Sequence, residues 1–289
     1  MTNLEAEKYV FSGHESFPCK SLWLKKGYDF VVHDLDFNAP DAVSYLGVGK
    51  NMVAAIRYWL KAFQLLDDNH VTDMAKYLLD DESGKDPYME DSGTLWLLHL
   101  QLVLGKKATL YNMFFRDFQK ERKEFDREQV LNFVKRKMVE AGKDKLFNPN
   151  TVKKDISVLL QNYALPQNAH SHEEFSNLLI DLDLLRQNKE SKSYYFNLEG
   201  KRPIPPEIFL FALLKIKSDE DKSVSYDILQ ELGFVFCMTD LEIIQMAKRL
   251  SDLYPDKIAY NDVAGIRQLQ FTSYFDIKIV LDHYYDSII

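Results

Sequence analysis

Four short clusters in this 289-residue chain contain residue types able to move protons or hold a metal. His14-Glu15, inside "FSGHESF", sets a base beside a carboxylate. Adjacent side chains project in different directions, and Pro18 stands where a zinc-binding His-Glu-x-x-His helix needs its second histidine. The alternative is a turn that docks the N-terminal segment. Asp86, Glu90 and Asp91 form a compact acidic set ahead of an apolar run. Such a set can hold Mg²⁺ or Mn²⁺ through several waters, or cap a helix starting at Ser92, where carboxylates are favoured. Glu121-x-Lys123 matches half of a nuclease signature, but it falls in a helical pattern with no strand to present it. His170 and His172 have metal-ligand chemistry, and equally suit a polar loop. Cutting DNA takes a carboxylate-held metal or a nucleophile beside a base. His14, Glu15, Asp86, Glu90 and Asp91 are therefore the catalytic candidates, with Mg²⁺ or Mn²⁺ as the cofactor that role implies. No dedicated metal site is expected.

A second kind of chemistry is electrostatic. "LGVGKNMVAAIRYWLKAFQLL", residues 46–66, opens like a loop that cradles phosphate. That loop would need Gly at position 44 and Ser or Thr at 51, and the chain has Ser44 and Asn51. A helix-turn-helix fits better. "PDAVSY" forms a short helix that Gly47 stops. Met52, Ile56, Trp59, Leu60 and Phe63 then recur at helical spacing over 51–66. Lys50, Asn51, Arg57 and Lys61 lie largely off that apolar stripe, where a recognition helix would present them to duplex DNA. Two ordinary packed helices are the alternative.

The elements around these groups set the frame. The chain is 46% hydrophobic, enough to fill a core, and its start has no apolar run. "LWLLHLQLVL" is too short to span a bilayer, so no membrane association is expected. Cys19 and Cys237 stand far apart, which suits a reducing, cytoplasmic setting. Net charge is −8 but uneven: residues 106–154 carry fourteen Lys/Arg against seven Asp/Glu. That +7 stretch suits a polyanion, or a solvated helix face. Trp23, Trp59, Trp96, Tyr111 and Phe114 have the rings to stack on bases, but their spacing within apolar runs favours core packing.

The helix-turn-helix plan recurs. "DREQVLNFVKRKMVEA", a turn-rich connector and "TVKKDISVLLQNY" read as helix, turn, helix, with Asn150 as N-cap and Lys153 and Lys154 exposed at the first turn. "SYYFNL" follows as a strand, giving a winged-helix outline. A third version runs from "SVSYDILQEL" through "TDLEIIQMAKRLSDLY" to a hairpin-like stretch. Asp240 and Glu242 at the start of its second helix repel phosphate, so a structural or dimerising role, with a homodimer as one outcome, is expected there. "KRPIPPEIF" reads as a stiff linker. The expected fold is mainly α with short β-hairpins, an α+β chain of several winged-helix-like modules. The expected modules are 1–105, 106–200 and 201–289.

An ordered set of motifs spans nearly the whole chain: "FSGHESF", "LWLKKGYDF", "LGVGKNMVAAIRYWLKAF", "DPYMEDSGTLWLLHLQL", "TVKKDISVLLQNY", "PIPPEIFLFALL" and "AGIRQL". It resembles the prokaryotic family called domain of unknown function 4007. Members of that family are similar to SspB of DNA phosphorothioation systems, in which sulfur replaces a backbone oxygen. The SspB branch is implicated in nicking DNA for sulfur insertion. The resemblance implies a role in DNA modification or phage defence, with duplex DNA and other proteins of such a complex as partners. Relatives usually carry a basic residue after "HESF". This chain has "PCK", with Lys20 in the later place. Three functions follow as expectations: a DNA-binding component, a metal-dependent nickase, or a non-catalytic scaffold for partner enzymes.

Overall fold

The computed structural model describes residues 9–166, 176–263 and 265–288. His170 and His172 lie outside them. The chain divides into two compact units, meeting at Asn197 and Leu198. Helices dominate both, with three small antiparallel sheets.

The first unit opens with α1 (Trp23–Val32), α2 (Ala42–Leu46) and α3 (Lys50–Ala62). Gly47 ends α2 with φ +65°, the left-handed turn that glycine adopts without strain. Helix α3 is shorter than its apolar spacing predicts. Gln64 takes φ +56° and turns the chain away, so Leu65 and Leu66 are buried beyond the helix end. No glycine marks that stop. Helices α1 and α3 approach closely because Gly27 has no side chain: a Cβ there would sit 2.6 Å from Leu60 Cδ1. A two-stranded hairpin, β1 (Leu66–Asp67) with β2 (His70–Val71), leads to α4 (Asp73–Leu79). Then comes α5 (Ser92–Leu104), buried on nearly every side. The apolar run "LWLLHLQLVL" is thus a central core helix. Its His99 is buried and bonds the Tyr163 hydroxyl at 2.7 Å.

The same unit continues with α6 (Thr109–Met113), which passes through one π-helical turn into α7 (Gln119–Glu121). Next come β3 (Glu124–Phe125), α8 (Arg127–Glu140), α9 (Pro149–Tyr163), β4 (Leu185–Gln187) and β5 (Tyr194–Phe196). The three strands form one sheet in the order β3-β5-β4. Phe114, Phe115, Phe118, Phe125 and Phe196 interlock edge-to-face and tilted beneath it. A capping box of Asp126 and Gln129 fixes the start of α8. Helix α9 starts two residues earlier than its pattern predicts. Pro149 takes the first helical position, where its missing N–H costs nothing, and the Asn148 side chain, not Asn150, caps the helix.

The second unit runs α10 (Pro206–Ile216), β6 (Ser223–Ser225), α11 (Tyr226–Val235), α12 (Asp240–Leu253), β7 (Ile258–Val263), β8 (Ile266–Phe271) and α13 (Ile277–Ile288). Its sheet has the order β6-β8-β7. Pro206 opens α10 in the way Pro149 opens α9. The Pro-rich stretch before it is not a free tether: Ile204 is buried, and Lys201 is buried against Glu242 of α12 at 2.6 Å. Gly233 lets α11 meet α12, since a Cβ there would lie 2.4 Å from Ile243 Cδ1.

Among the described residues, no helix is long and apolar enough to cross a membrane. Cys19 and Cys237 are both buried.

Candidate nucleic-acid interface

Helix α9 has two chemically different sides. Val152, Ile156, Leu159 and Leu160 face the core, while Lys153 and Lys154 are exposed side by side. The early start of α9 puts these lysines in its second turn. On the inward side stands Asp155, a buried carboxylate that holds the "FSGHESF" loop. Its Oδ2 accepts the Ser12 N–H at 2.9 Å, and its Oδ1 accepts from His14 Nε2 at 2.9 Å. His14 Nδ1 accepts the Ser16 N–H at 3.1 Å, so the Nε2 nitrogen carries the proton it gives Asp155. The His14 ring lies nearly parallel to Trp59, with centroids 6.2 Å apart. Gly13, at φ +104°, packs so close to Tyr58 that a Cβ would sit 2.6 Å from the ring. Burial, and then the Asp155 charge, push the Tyr58 phenol far above its usual pKa.

The strapping continues along α9. Asn162 Oδ1 accepts the Cys19 N–H at 2.9 Å, and its amide donates to the Tyr111 hydroxyl at 2.7 Å. The Cys19 thiol is pushed well up by burial. His14 is therefore paired with Asp155, not Glu15. Glu15 is exposed, with φ +49°, and points to solvent.

The acidic set serves the backbone. Asp86 Oδ1 accepts the Glu90 N–H and Oδ2 accepts the Asp91 N–H, each at 3.0 Å. Asp91 caps α5 by accepting from Gly93 and Thr94. Asp86 and Asp91 thus hold backbone, Glu90 is exposed, and no group of three or more His, Cys, Asp or Glu among the described residues could hold a metal ion. Both Glu121 carboxylate oxygens accept from Arg136 Nη2, at 2.6 and 2.7 Å, which ties α7 to α8.

On α3, Lys50 and Asn51 are exposed at the first turn, with no side chain capping it. Arg57 is held by Asn38 Oδ1 at 3.2 Å and Asn69 Oδ1 at 2.8 Å, while its Nε is buried without an acceptor among the described residues. Lys61 is half-buried, and burial followed by the nearby Arg57 lowers its pKa. Lys50 and Asn51 are thus free to meet a ligand, whereas Arg57 and Lys61 are partly committed to the fold. The rings proposed for stacking are interior: Trp59 and Trp96 are fully buried, and Trp23, Tyr111 and Phe114 nearly so.

Asp155 and Asn162 were not among the sequence candidates, although a signal existed. Position 155 follows Val152 by three and precedes Ile156, and 162 follows Leu159 by three. Both sit on the inward stripe, where a polar residue implies a buried partner.

The family profile described as "Protein of unknown function (DUF4007)" matches residues 11–285, so the chain belongs to that family. Two solved structures resemble it closely. One, described as "SspB crystal structure", is 27% identical with a TM-score of 0.84, covering 99% of this chain and 90% of that one. The other, "Magnesium ion-bound SspB crystal structure", is 26% identical with the same TM-score and coverage. No curated protein matches the chain.

Proposed function

We propose that this protein is the DNA-binding component of a cytoplasmic, bacterial DNA modification and defence system of the phosphorothioation type, built from winged-helix modules. The observation that carries the reading is the pairing of Lys153 and Lys154 on the open side of α9, the second helix of a helix–turn–helix. The order β3-β5-β4 supports the winged-helix description, since a short strand before the two helices joins the hairpin that follows them. Lys50 and Asn51 add a second cationic and amide-bearing helix start. Asn is a good bidentate partner for adenine, and the lysines supply phosphate contacts. The family's likeness to SspB supports the defence setting and partner proteins of a complex. The corresponding helix start in the second unit carries Asp240 and Glu242, which suits protein contacts, including a homodimer.

The test is duplex binding by fluorescence anisotropy across a salt titration. Lys153→Glu/Lys154→Glu should weaken binding more than tenfold and flatten the log–log salt slope by about 2, near 0.9 for each lost phosphate contact. Lys50→Glu should give a smaller loss. Binding unchanged by the Lys153/Lys154 pair would overturn the reading. A second reading, Mg²⁺-dependent nicking, is favoured by one observation: a similar SspB structure is described as magnesium ion-bound. Since Asp86 and Asp91 serve the backbone, a nicking site would draw on other carboxylates such as exposed Glu15. Plasmid relaxation that needs Mg²⁺ and is lost in Glu15→Gln would favour that reading.

A further inference from the structure

One cavity of the first unit is not used by the duplex-binding surface described above. It has a volume of about 330 Å³ and lies where the start of α8, the end of α9, strands β4 and β5 and the Lys20 segment converge. That size is at the small end of ligand pockets, which span roughly 300–1,000 Å³. Its wall includes Lys20, Arg127, Gln161, Asn177, Gln187 and Tyr194, over an apolar floor of Leu160 and Ala164. Among the described residues, no Asp or Glu lines it.

Lys20 Nζ donates to Asn177 Oδ1 at 2.8 Å, and Asn177 is fixed in turn by donating to the Gln161 carbonyl at 2.8 Å. Arg127 reaches the Tyr194 hydroxyl at 3.4 Å. Arg127 also occupies the first helical position of α8, where a cation opposes the helix dipole. Beyond the cations, the wall offers amides of the kind that pair with base edges, a tyrosine ring and apolar surface.

We infer that this cavity takes a nucleoside 5′-monophosphate unit, its phosphate on Lys20 and Arg127 and its base against the amides and Tyr194. The inference deepens the DNA-binding reading and rests on it for one possible source of that unit, an unstacked or terminal nucleotide of a strand. A free nucleotide is the other source, with the same chemistry.

The test is calorimetric titration of the full chain at low salt with 5′-dAMP and 5′-dTMP, beside inorganic phosphate and deoxyadenosine. The mononucleotides should bind saturably and at least tenfold more tightly than phosphate or nucleoside. Arg127→Gln should weaken them at least fivefold and Arg127→Lys less. Arg127 is exposed, so both variants should keep the wild-type melting temperature. No saturable mononucleotide binding, equal binding of phosphate alone, or full affinity in Arg127→Gln would overturn the inference. A 5′-phosphorylated single strand that displaces the mononucleotide assigns the site to DNA. A strand that fails to displace it assigns a free nucleotide. Mononucleotide binding with no duplex binding at all would sink the DNA reading and leave the pocket standing.

Discussion

The chain builds one plan twice and gives the two versions opposite chemistry. In the first unit, β3 precedes α8 and α9 and then joins the β4–β5 hairpin. In the second, β6 precedes α11 and α12 and joins β7–β8 in the same order. The second helix of the first version exposes Lys153 and Lys154, and turns Asp155 inward to clasp another segment. The second helix of the other spends its early residues on itself: Thr239 and Glu242 form a capping box, and Glu242 also pairs with Lys201. Asp240 is met by the Tyr226 hydroxyl and the Gln230 amide. A shared frame therefore says little about ligand. The two versions differ in charge at one turn of one helix, exposed Lys153 and Lys154 against Asp240 and Glu242.

The comparison can be broken most sharply at Asp155. Asp155→Ala leaves the buried His14 Nε2–H without an acceptor, costing roughly 1–3 kcal/mol, and also removes the acceptor of the Ser12 N–H. Urea unfolding should show a loss of about 3 kcal/mol. A loss below about 1 kcal/mol would mean that the clasp is ornamental and that the two helices differ only in surface charge. Next in size is the contrast in binding. Lys153→Glu/Lys154→Glu should cost more than a factor of ten in duplex affinity, whereas Asp240→Asn should leave the anisotropy curve where it was. A gain in affinity from Asp240→Asn would show that both versions face DNA.

Smaller effects refine the comparison of helix starts. Thr239→Ala and Asn148→Ala should each cost about 1 kcal/mol in thermal or denaturant unfolding. Thr239 should cost the more, because its loss also removes a partner of Glu242. The smallest effect belongs to Tyr254, whose buried hydroxyl has no partner among the described residues. Burial, then the Glu207 charge, push its pKa up to about 12. A raised folded value means that its contribution is intact below the ordinary tyrosine pKa of about 10 and is lost as pH rises through about 12. Melting curves of Tyr254→Phe should match or slightly exceed wild type at neutral pH, and should fall less steeply in that alkaline window.

How much of this was legible depends on whether the signal was local. Helices α2, α3, α5, α8, α9, α11 and α12, the Gly47 stop and the hairpin after α12 follow from spacing and turn residues close in sequence, whereas the start of α10 reads in sequence as linker. The end of α3 was not legible, because Gln64 adopts a left-handed conformation that nothing but tertiary packing enforces. The start of α9 was misplaced by two residues, since two asparagines compete as caps and Pro149 decides between them. The candidate residues divide the same way. Exposed lysines can be read from a helical stripe. The partner of His14 cannot, because a carboxylate far along the chain outcompetes the one beside it.

The clasp also sets an order of events. Ser12 and Asp155 are separated by 143 positions. At synthesis rates of roughly 5–20 residues per second, α9 is completed some 7–30 s after "FSGHESF" has been made. For that interval His14 and the Ser12 N–H lack their Asp155 partner and are left to water. Closing so long a loop is entropically costly, so the pairing must wait for α9 to be packed by its own apolar stripe. The first motif to be translated is in this way among the last to be fixed, and a nascent chain stalled before Asp155 would carry its "FSGHESF" segment undocked.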